Sequence, residues 1–184
     1  MTGRREQESS VVVPGPGTLV GARTALLLSD AVTPAVAATA RQAIADAGWQ
    51  RYRFIDRGSY EFVDAPPVAG LLTAMVALAS QQTGRALQLQ AARALRLVAG
   101  DYTLAHHDTF HEAMPIELTL DLSTQPVADA GVHYRRRGHV FFVMPSQPGA
   151  VALVERGPAV TCSHAYVSKR WLAADVQRLV LLLR

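Results

Sequence analysis

The chain has 184 residues, 49% of them apolar, which fits one domain with a sizeable core; no apolar run reaches the roughly 18 residues of a membrane-spanning helix. Its net charge of +3 comes from arginines scattered along the chain, with one cluster at Arg135, Arg136 and Arg137, so the sequence does not predict a nucleic-acid-binding face. The single cysteine, Cys162, excludes an internal disulfide, and together with a polar opening segment it predicts a cytoplasmic protein.

The first half of the chain predicts a leader, a strand and a helix. Residues 1–17 have no periodic apolar face and predict a disordered leader, and an apolar run within residues 18–29 favours a short strand. The first helix begins at Thr33-Pro34, because threonine can cap free amides and proline suits the first helical position, and it ends at Gly48. Its predicted apolar stripe comprises Val36, Ala37, Ala40, Ile44 and Ala47.

Aromatic and β-branched residues then predict a hairpin over residues 49–63, and a second helix follows over residues 68–82, closed by Gly84. Residues 116–122 alternate apolar and polar side chains, which predicts a strand with one buried wall and a second wall lined by Glu117, Thr119 and Asp121. A loop is predicted over residues 125–138. Further strands are predicted over residues 86–90, 139–144, 150–154, 160–167 and 176–184, and residues 95–108 combine an apolar run, a Gly-Asp turn and a second short run. This order predicts a single α+β domain over residues 18–184 whose C-terminal half is a β-sandwich or open barrel.

The candidate metal ligands lie at the end of the stretch formed by residues 95–108. His106 and Asp108 are two residues apart, so both side chains would project from one face of a strand. His164, on a later predicted strand, is the candidate third ligand. Two histidines and one carboxylate on one face are the ligand set of non-haem Fe(II) oxygenases. A shift of one residue would replace His106 by His107.

The stretch from Gly100 to Asp108, with His164 58 residues after His106, resembles the iron motif of 2-oxoglutarate/Fe(II)-dependent dioxygenases, particularly the prolyl-hydroxylase-like branch. The resemblance implies a double-stranded β-helix (jelly roll) over about residues 86–184, with the two helices supporting one sheet. It implies His106, Asp108 and His164 as catalytic Fe(II) ligands. It also implies 2-oxoglutarate and O2 as cosubstrates, stimulation by ascorbate, and hydroxylation of an aliphatic C–H of a small molecule or amino-acid side chain.

In this family a basic residue opening the last major strand binds the distal carboxylate of 2-oxoglutarate, and Arg178 occupies that place here. Lys169 and Arg170, which lie nearer to His164, are the rival candidates. The family often has a further cosubstrate-binding tyrosine where this chain has Leu97, so Tyr102 or Thr119 is expected to supply that hydrogen bond instead.

Two other interpretations remain open, and a third is disfavoured. The histidines could be core residues of a non-catalytic jelly-roll or cupin-like protein that binds a small ligand. A cupin-type metal enzyme would need Glu117 or Asp121 as a further ligand. A zinc hydrolase built on His107 and His111 is disfavoured, because no glutamate follows His107 and Pro115 soon interrupts any helix.

Overall fold

The computed structural model describes residues 24–54, 58–104, 115–157, 159–173 and 175–184. Two α-helices lie in this part of the chain, α1 (Pro34–Asp46) and α2 (Ala69–Thr83). The described strands are β1 (Ala25–Leu28), β2 (Gln50–Phe54), β3 (Gly58–Asp64), β4 (Leu89–Leu97), β5 (Tyr102–Thr103), β6 (Ile116–Asp121), β7 (Val132–Arg136), β8 (His139–Met144), β9 (Val151–Glu155), β10 (Val160–His164) and β11 (Val176–Leu183). The predicted leader, residues 1–17, lies outside the described residues.

The strands form two antiparallel sheets that face each other. The larger sheet has the order β1-β9-β6-β11-β4-β3-β2, with β5 also paired to β3, and the smaller has the order β10-β7-β8. Ala152 and Val154 of the larger sheet pack with Tyr134, Met144 and Cys162 of the smaller sheet in one apolar cluster. Two facing antiparallel sheets with crossing connections confirm the predicted jelly roll.

The central strands β6 and β9 of the larger sheet are buried on both faces, which gives this part of the sheet one apolar wall and one wall that carries polar groups. Leu179, Leu181 and Leu183 of β11 pack towards the two helices, whereas the intervening positions face the smaller sheet. All six residues of β6 are buried. The wall of β6 that was predicted from its polar residues is therefore an interior wall of the jelly roll.

The helices begin and end close to where the sequence predicts. The Thr33 side chain accepts a hydrogen bond from the Val36 amide, with proline at the first helical position, and α2 ends at Gly84, whose φ is +65°. The predicted stripe of α1 is wrong at two positions. Val36 is 46% exposed, and Ala47 lies outside the helix. The buried face of α1 consists of Ala37, Ala40 and Ile44.

Two predicted segments are wrong. Residues 86–90 are not a separate strand, since β4 begins at Leu89 and continues without a break to Leu97. Residues 125–138 are not one loop, since they include β7 and the two-residue turn Arg137-Gly138 that joins it to β8. Both turn residues have positive φ, +52° and +82°, as tight hairpins require. The strand predicted over residues 160–167 ends at His164.

No helix within the described ranges is long and apolar enough to cross a membrane.

Candidate functional site

The buried carboxylate of Asp101 holds the turn after β4, which precedes the predicted iron motif in the chain. Asp101 accepts two hydrogen bonds from the Arg51 guanidinium, at 2.8 and 2.5 Å, and one from the Ser59 hydroxyl at 2.6 Å. The Val98 amide donates to the same carboxylate at 3.1 Å. These contacts attach the turn and the start of β5 to the hairpin of β2 and β3. His106 and Asp108, together with His107 and His111, lie outside the described residues.

His164, the predicted third ligand, is buried at the end of β10. Its backbone amide donates to the Thr103 hydroxyl at 2.8 Å, which ties the end of β10 to β5. Its imidazole Nδ1 lies 2.6 Å from a terminal nitrogen of Arg178. Because a guanidinium can only donate hydrogen bonds, Nδ1 is the acceptor in this contact. The structure therefore brings together two of the predicted site residues, 14 positions apart in sequence.

Arg178 is a buried cation on the inner wall of the larger sheet. It is 1% exposed, and in the register of β11 it stands between Leu95 of β4 and Asp121 of β6. One terminal nitrogen donates to His164 and the other to the Ala130 carbonyl, while Nε has no partner within the described ranges. Burial lowers the pKa of Arg178, and the nearby Asp121 and Tyr134 oppose that shift.

A buried guanidinium with an unsatisfied donor is costly unless an anion meets it, so this position fits a ligand carboxylate. Asp121 does not fill that role. Its two carboxylate oxygens accept from the backbone amides of Ser123, at 2.8 Å, and Gln147, at 2.9 Å. No ion pair to Arg178 is found in the described part of the chain. Within the described ranges, the Nε donor of Arg178 therefore remains available to a ligand carboxylate.

The two rival basic residues lie elsewhere. Lys169 and Arg170 belong to a single 3₁₀ turn, Lys169–Trp171, and both are exposed. The Arg170 guanidinium pairs with Asp129 at 2.8 Å on the surface. Of the three candidates, only Arg178 lies beside His164 between the sheets.

The two residues predicted to assist Arg178 have different surroundings. Tyr102 is half-buried, and its ring centroid lies 6.4 Å from that of Tyr166. Thr119 is buried on the inner wall, where its hydroxyl lies 3.1 Å from that of Tyr134. Val180 stands opposite Thr119 and two residues from Arg178, so Thr119 and Arg178 share a face of the sheet.

The sequence interpretation missed the polar network that continues from Thr119. The Tyr134 hydroxyl donates to Glu117 at 2.8 Å, and the other oxygen of Glu117 accepts from Arg156 at 2.7 Å. Burial, reinforced by the charge of Glu117, raises the pKa of Tyr134 well above its usual value, so the phenol stays protonated. The available signal for this strand was the alternation of apolar and polar residues at Val132, His133 and Tyr134. These residues lie in the segment that the sequence predicted to be a loop.

Neither carboxylate of the cupin-type alternative joins His164. Glu117 serves Tyr134 and Arg156, and Asp121 serves two backbone amides. Within the ranges that the structure describes, no group of three histidine, cysteine or acidic side chains could hold a metal ion. Cys162, two residues before His164, is buried in the core between the sheets, as expected for an inert thiol.

Solved structures with the same fold include 2-oxoglutarate/Fe(II)-dependent oxygenases. An oxidoreductase of the 2OG-Fe(II) oxygenase family from Burkholderia pseudomallei is 11% identical, with a TM-score of 0.70 over 87% of this chain and 84% of that one. The collagen prolyl hydroxylase of Paramecium Bursaria Chlorella virus-1, in complex with 2OG, is 10% identical, with a TM-score of 0.65 over 88% and 96%. The α-ketoglutarate-dependent epimerase SnoN of nogalamycin biosynthesis is 16% identical, with a TM-score of 0.65 over 88% and 77%.

No protein-family model and no curated protein matches the sequence. The structural neighbours nevertheless show that the chain has the fold of the 2-oxoglutarate/Fe(II) oxygenase superfamily. Prolyl hydroxylases are among these neighbours. The resemblance drawn from the iron motif is thus confirmed at the level of fold.

Proposed function

We propose that the protein is an Fe(II)- and 2-oxoglutarate-dependent oxygenase. The observation that carries this proposal is the buried pair of His164 and Arg178 on the inner walls of an oxygenase fold, with a guanidinium donor that lacks a partner in the described ranges. His106, Asp108 and His164 would hold the metal. Because an imidazole that accepts at Nδ1 carries its proton on the other ring nitrogen, metal binding by His164 would replace its contact with Arg178 and would free that guanidinium donor. When bound, Fe(II) with 2-oxoglutarate and O2 supplies an oxidant for an unactivated C–H bond.

In this proposal Arg178 binds the distal carboxylate of 2-oxoglutarate. A guanidinium fork can donate two parallel hydrogen bonds to a carboxylate, which sets the orientation of the cosubstrate as well as its affinity. Thr119 of the larger sheet and Tyr134 of the smaller sheet meet between the two sheets and would line the carboxylate end. The ring of Tyr102 lies beside that of Tyr166 instead. Burial excludes water from this end and strengthens the attraction between the two charges.

The proposed reaction is hydroxylation of an aliphatic carbon of a small molecule or amino-acid side chain. The balanced step converts substrate C–H, O2 and 2-oxoglutarate into C–OH, succinate and CO2. Asp108 supports hydroxylation, because related halogenases lack this carboxylate and use the space for chloride. Neighbours of the same fold include an epimerase, so the test must follow the product as well as succinate.

The decisive experiment measures succinate formed from 2-oxoglutarate with Fe(II), with and without ascorbate. Wild type is expected to form succinate above background, and His164→Ala is expected to abolish it. His139→Ala is the matched control, since His139 is exposed at the start of β8. Equal succinate formation by wild type and His164→Ala would contradict the proposal.

A second measurement tests Arg178 separately. Binding of 2-oxoglutarate to the metal-loaded protein should weaken by roughly 10- to 100-fold in Arg178→Gln, the loss expected for one or two charge-assisted hydrogen bonds. Arg170→Gln should bind as wild type does. Tight binding without any turnover would instead support the non-catalytic ligand-binding alternative.

A further inference from the structure

Among the described strands, β8 forms one edge of the smaller sheet. Strand β8 pairs with β7 on one side, and no strand within the described ranges pairs with its other side. An edge strand presents a row of backbone N–H and C=O groups that can accept another strand. The edge formed by β8 spans six residues and contains neither proline nor lysine.

The same strand exposes apolar side chains. Val140 is 48% exposed, Phe141 36% and Val143 42%, which places three of the nine exposed large hydrophobic residues of the described chain on one strand. Phe142 and Met144 point the other way, towards the core between the sheets. A strand with an open edge and an apolar outer surface is suited to binding an extended segment.

The surroundings of β8 are strongly basic. Arg135 and Arg136 lie on the neighbouring strand and Arg137 in the connecting turn. The Arg136 guanidinium stacks 4.9 Å from the centre of the Phe141 ring. None of the three strands of this sheet contains an aspartate or glutamate. The exposed apolar strip is therefore flanked by positive charge without an acidic residue in the sheet to balance it.

We propose that β8 binds an extended acidic segment of a partner protein, which adds to the smaller sheet as a fourth strand. The partner backbone would pair with the open edge, its apolar side chains would cover Val140 and Val143, and its carboxylates would meet Arg136 and Arg137. The proposal rests on this surface alone and is independent of the catalytic function.

Two other occupants fit less well. A second copy would bring its own arginines without a carboxylate from the same sheet. Single-stranded nucleic acid needs several stacking rings, whereas Phe141 is the one exposed Phe, Tyr or Trp on β8 and its ring already contacts Arg136.

The test uses the full chain and a fluorescein-labelled octapeptide of alternating valine and glutamate, followed by fluorescence anisotropy. The proposal expects saturable binding that weakens about fivefold or more in Val143→Lys and in the double variant Arg136→Glu/Arg137→Glu. Val36→Lys and Arg53→Glu are the matched controls, because they alter an exposed valine on α1 and an exposed arginine on β2, another edge strand. Far-UV circular dichroism and the melting temperature verify that each variant is folded.

Control probes separate the alternatives. A valine–lysine octapeptide and a valine–glutamate octapeptide with alternate N-methylated amides should both bind at least about fivefold more weakly, because they remove charge complementarity and backbone pairing respectively. The proposal would be overturned if the unmodified valine–glutamate octapeptide did not bind, or if Arg53→Glu weakened its binding as much as Arg136→Glu/Arg137→Glu does. Tighter binding of an eight-nucleotide oligothymidylate than of this peptide would also overturn it. So would a dimer in light scattering that Val143→Lys abolishes, because it would identify a second copy as the occupant.

Discussion

Removal of the Glu117 carboxylate should destabilise the protein severely. The side chains of Glu117 and Arg156 are each 4% exposed and lie 2.7 Å apart, so Glu117→Ala leaves a buried guanidinium without its carboxylate. The same change removes the acceptor of the Tyr134 hydroxyl. Breaking a buried ion pair costs about 3–5 kcal/mol, a large share of the roughly 5–15 kcal/mol that stabilises a typical domain. For a chain of this length the melting temperature should fall by about 6–20 °C.

The assay is urea unfolding of wild type, Glu117→Ala, Arg156→Met and the double variant Glu117→Met/Arg156→Met. The double variant should lose less than Glu117→Ala, because replacing both charges by apolar groups removes the desolvation cost along with the attraction. The exposed pair of Asp64 and Arg93, with side chains 56% and 47% exposed, is the matched control. Asp64→Ala should cost at most about 1 kcal/mol.

Salt gives a second readout of the same pair. The contribution of the Asp64–Arg93 pair should shrink in 1 M NaCl, whereas that of the Glu117–Arg156 pair should persist, because counterions do not reach buried charges. A loss below about 1 kcal/mol in Glu117→Ala, or a double variant less stable than Glu117→Ala, would refute the reasoning.

Three further predictions concern single side chains. Tyr134→Phe should cost about 1–3 kcal/mol in urea unfolding, because Glu117 loses a buried donor; an unchanged midpoint would contradict the network. Asp101→Asn should lower the melting temperature and increase proteolysis near β5, since the bidentate contact from Arg51 is lost; unchanged cleavage would show that this contact does not hold the turn. Gly149→Ala should destabilise by more than Gly48→Ala. Both glycines have positive φ, but only at position 149 would the added Cβ lie 2.6 Å from a backbone oxygen, and equal losses would refute this steric argument.

The sequence correctly predicted the elements whose ends carry capping or turn residues, or whose buried positions form an apolar run. Thr33-Pro34 and Gly84 are strong signals for helix ends, β8 is an apolar run between Gly138 and Pro145, and β11 ends in the apolar run Leu179 to Leu183. The stretch of β7 was missed for two reasons. Its arginines resemble a solvated loop, and Arg137-Gly138 is a less familiar pair for a tight turn than Asn-Gly or Asp-Gly.

The candidate site was predicted only in part. The family resemblance implied Arg178 as the basic residue that opens the last major strand and His164 as the distal histidine, and the structure brings the two to hydrogen-bonding distance. Their roles, and the participation of His106 and Asp108, stay predictions. The contact of Tyr134 with Thr119 depends on how the two sheets are aligned, which no local pattern in either strand encodes.

Arg178 also fastens the two halves of the jelly roll. It is anchored on β11 of the larger sheet, and its terminal nitrogens reach His164 and Ala130 on the side of the smaller sheet. Two of the five N–H groups of its guanidinium serve this clasp, so a ligand carboxylate can engage other donors without breaking it. One side chain therefore both joins the sheets and offers donors to a ligand, and its replacement should lower the stability of the empty protein together with the ligand affinity.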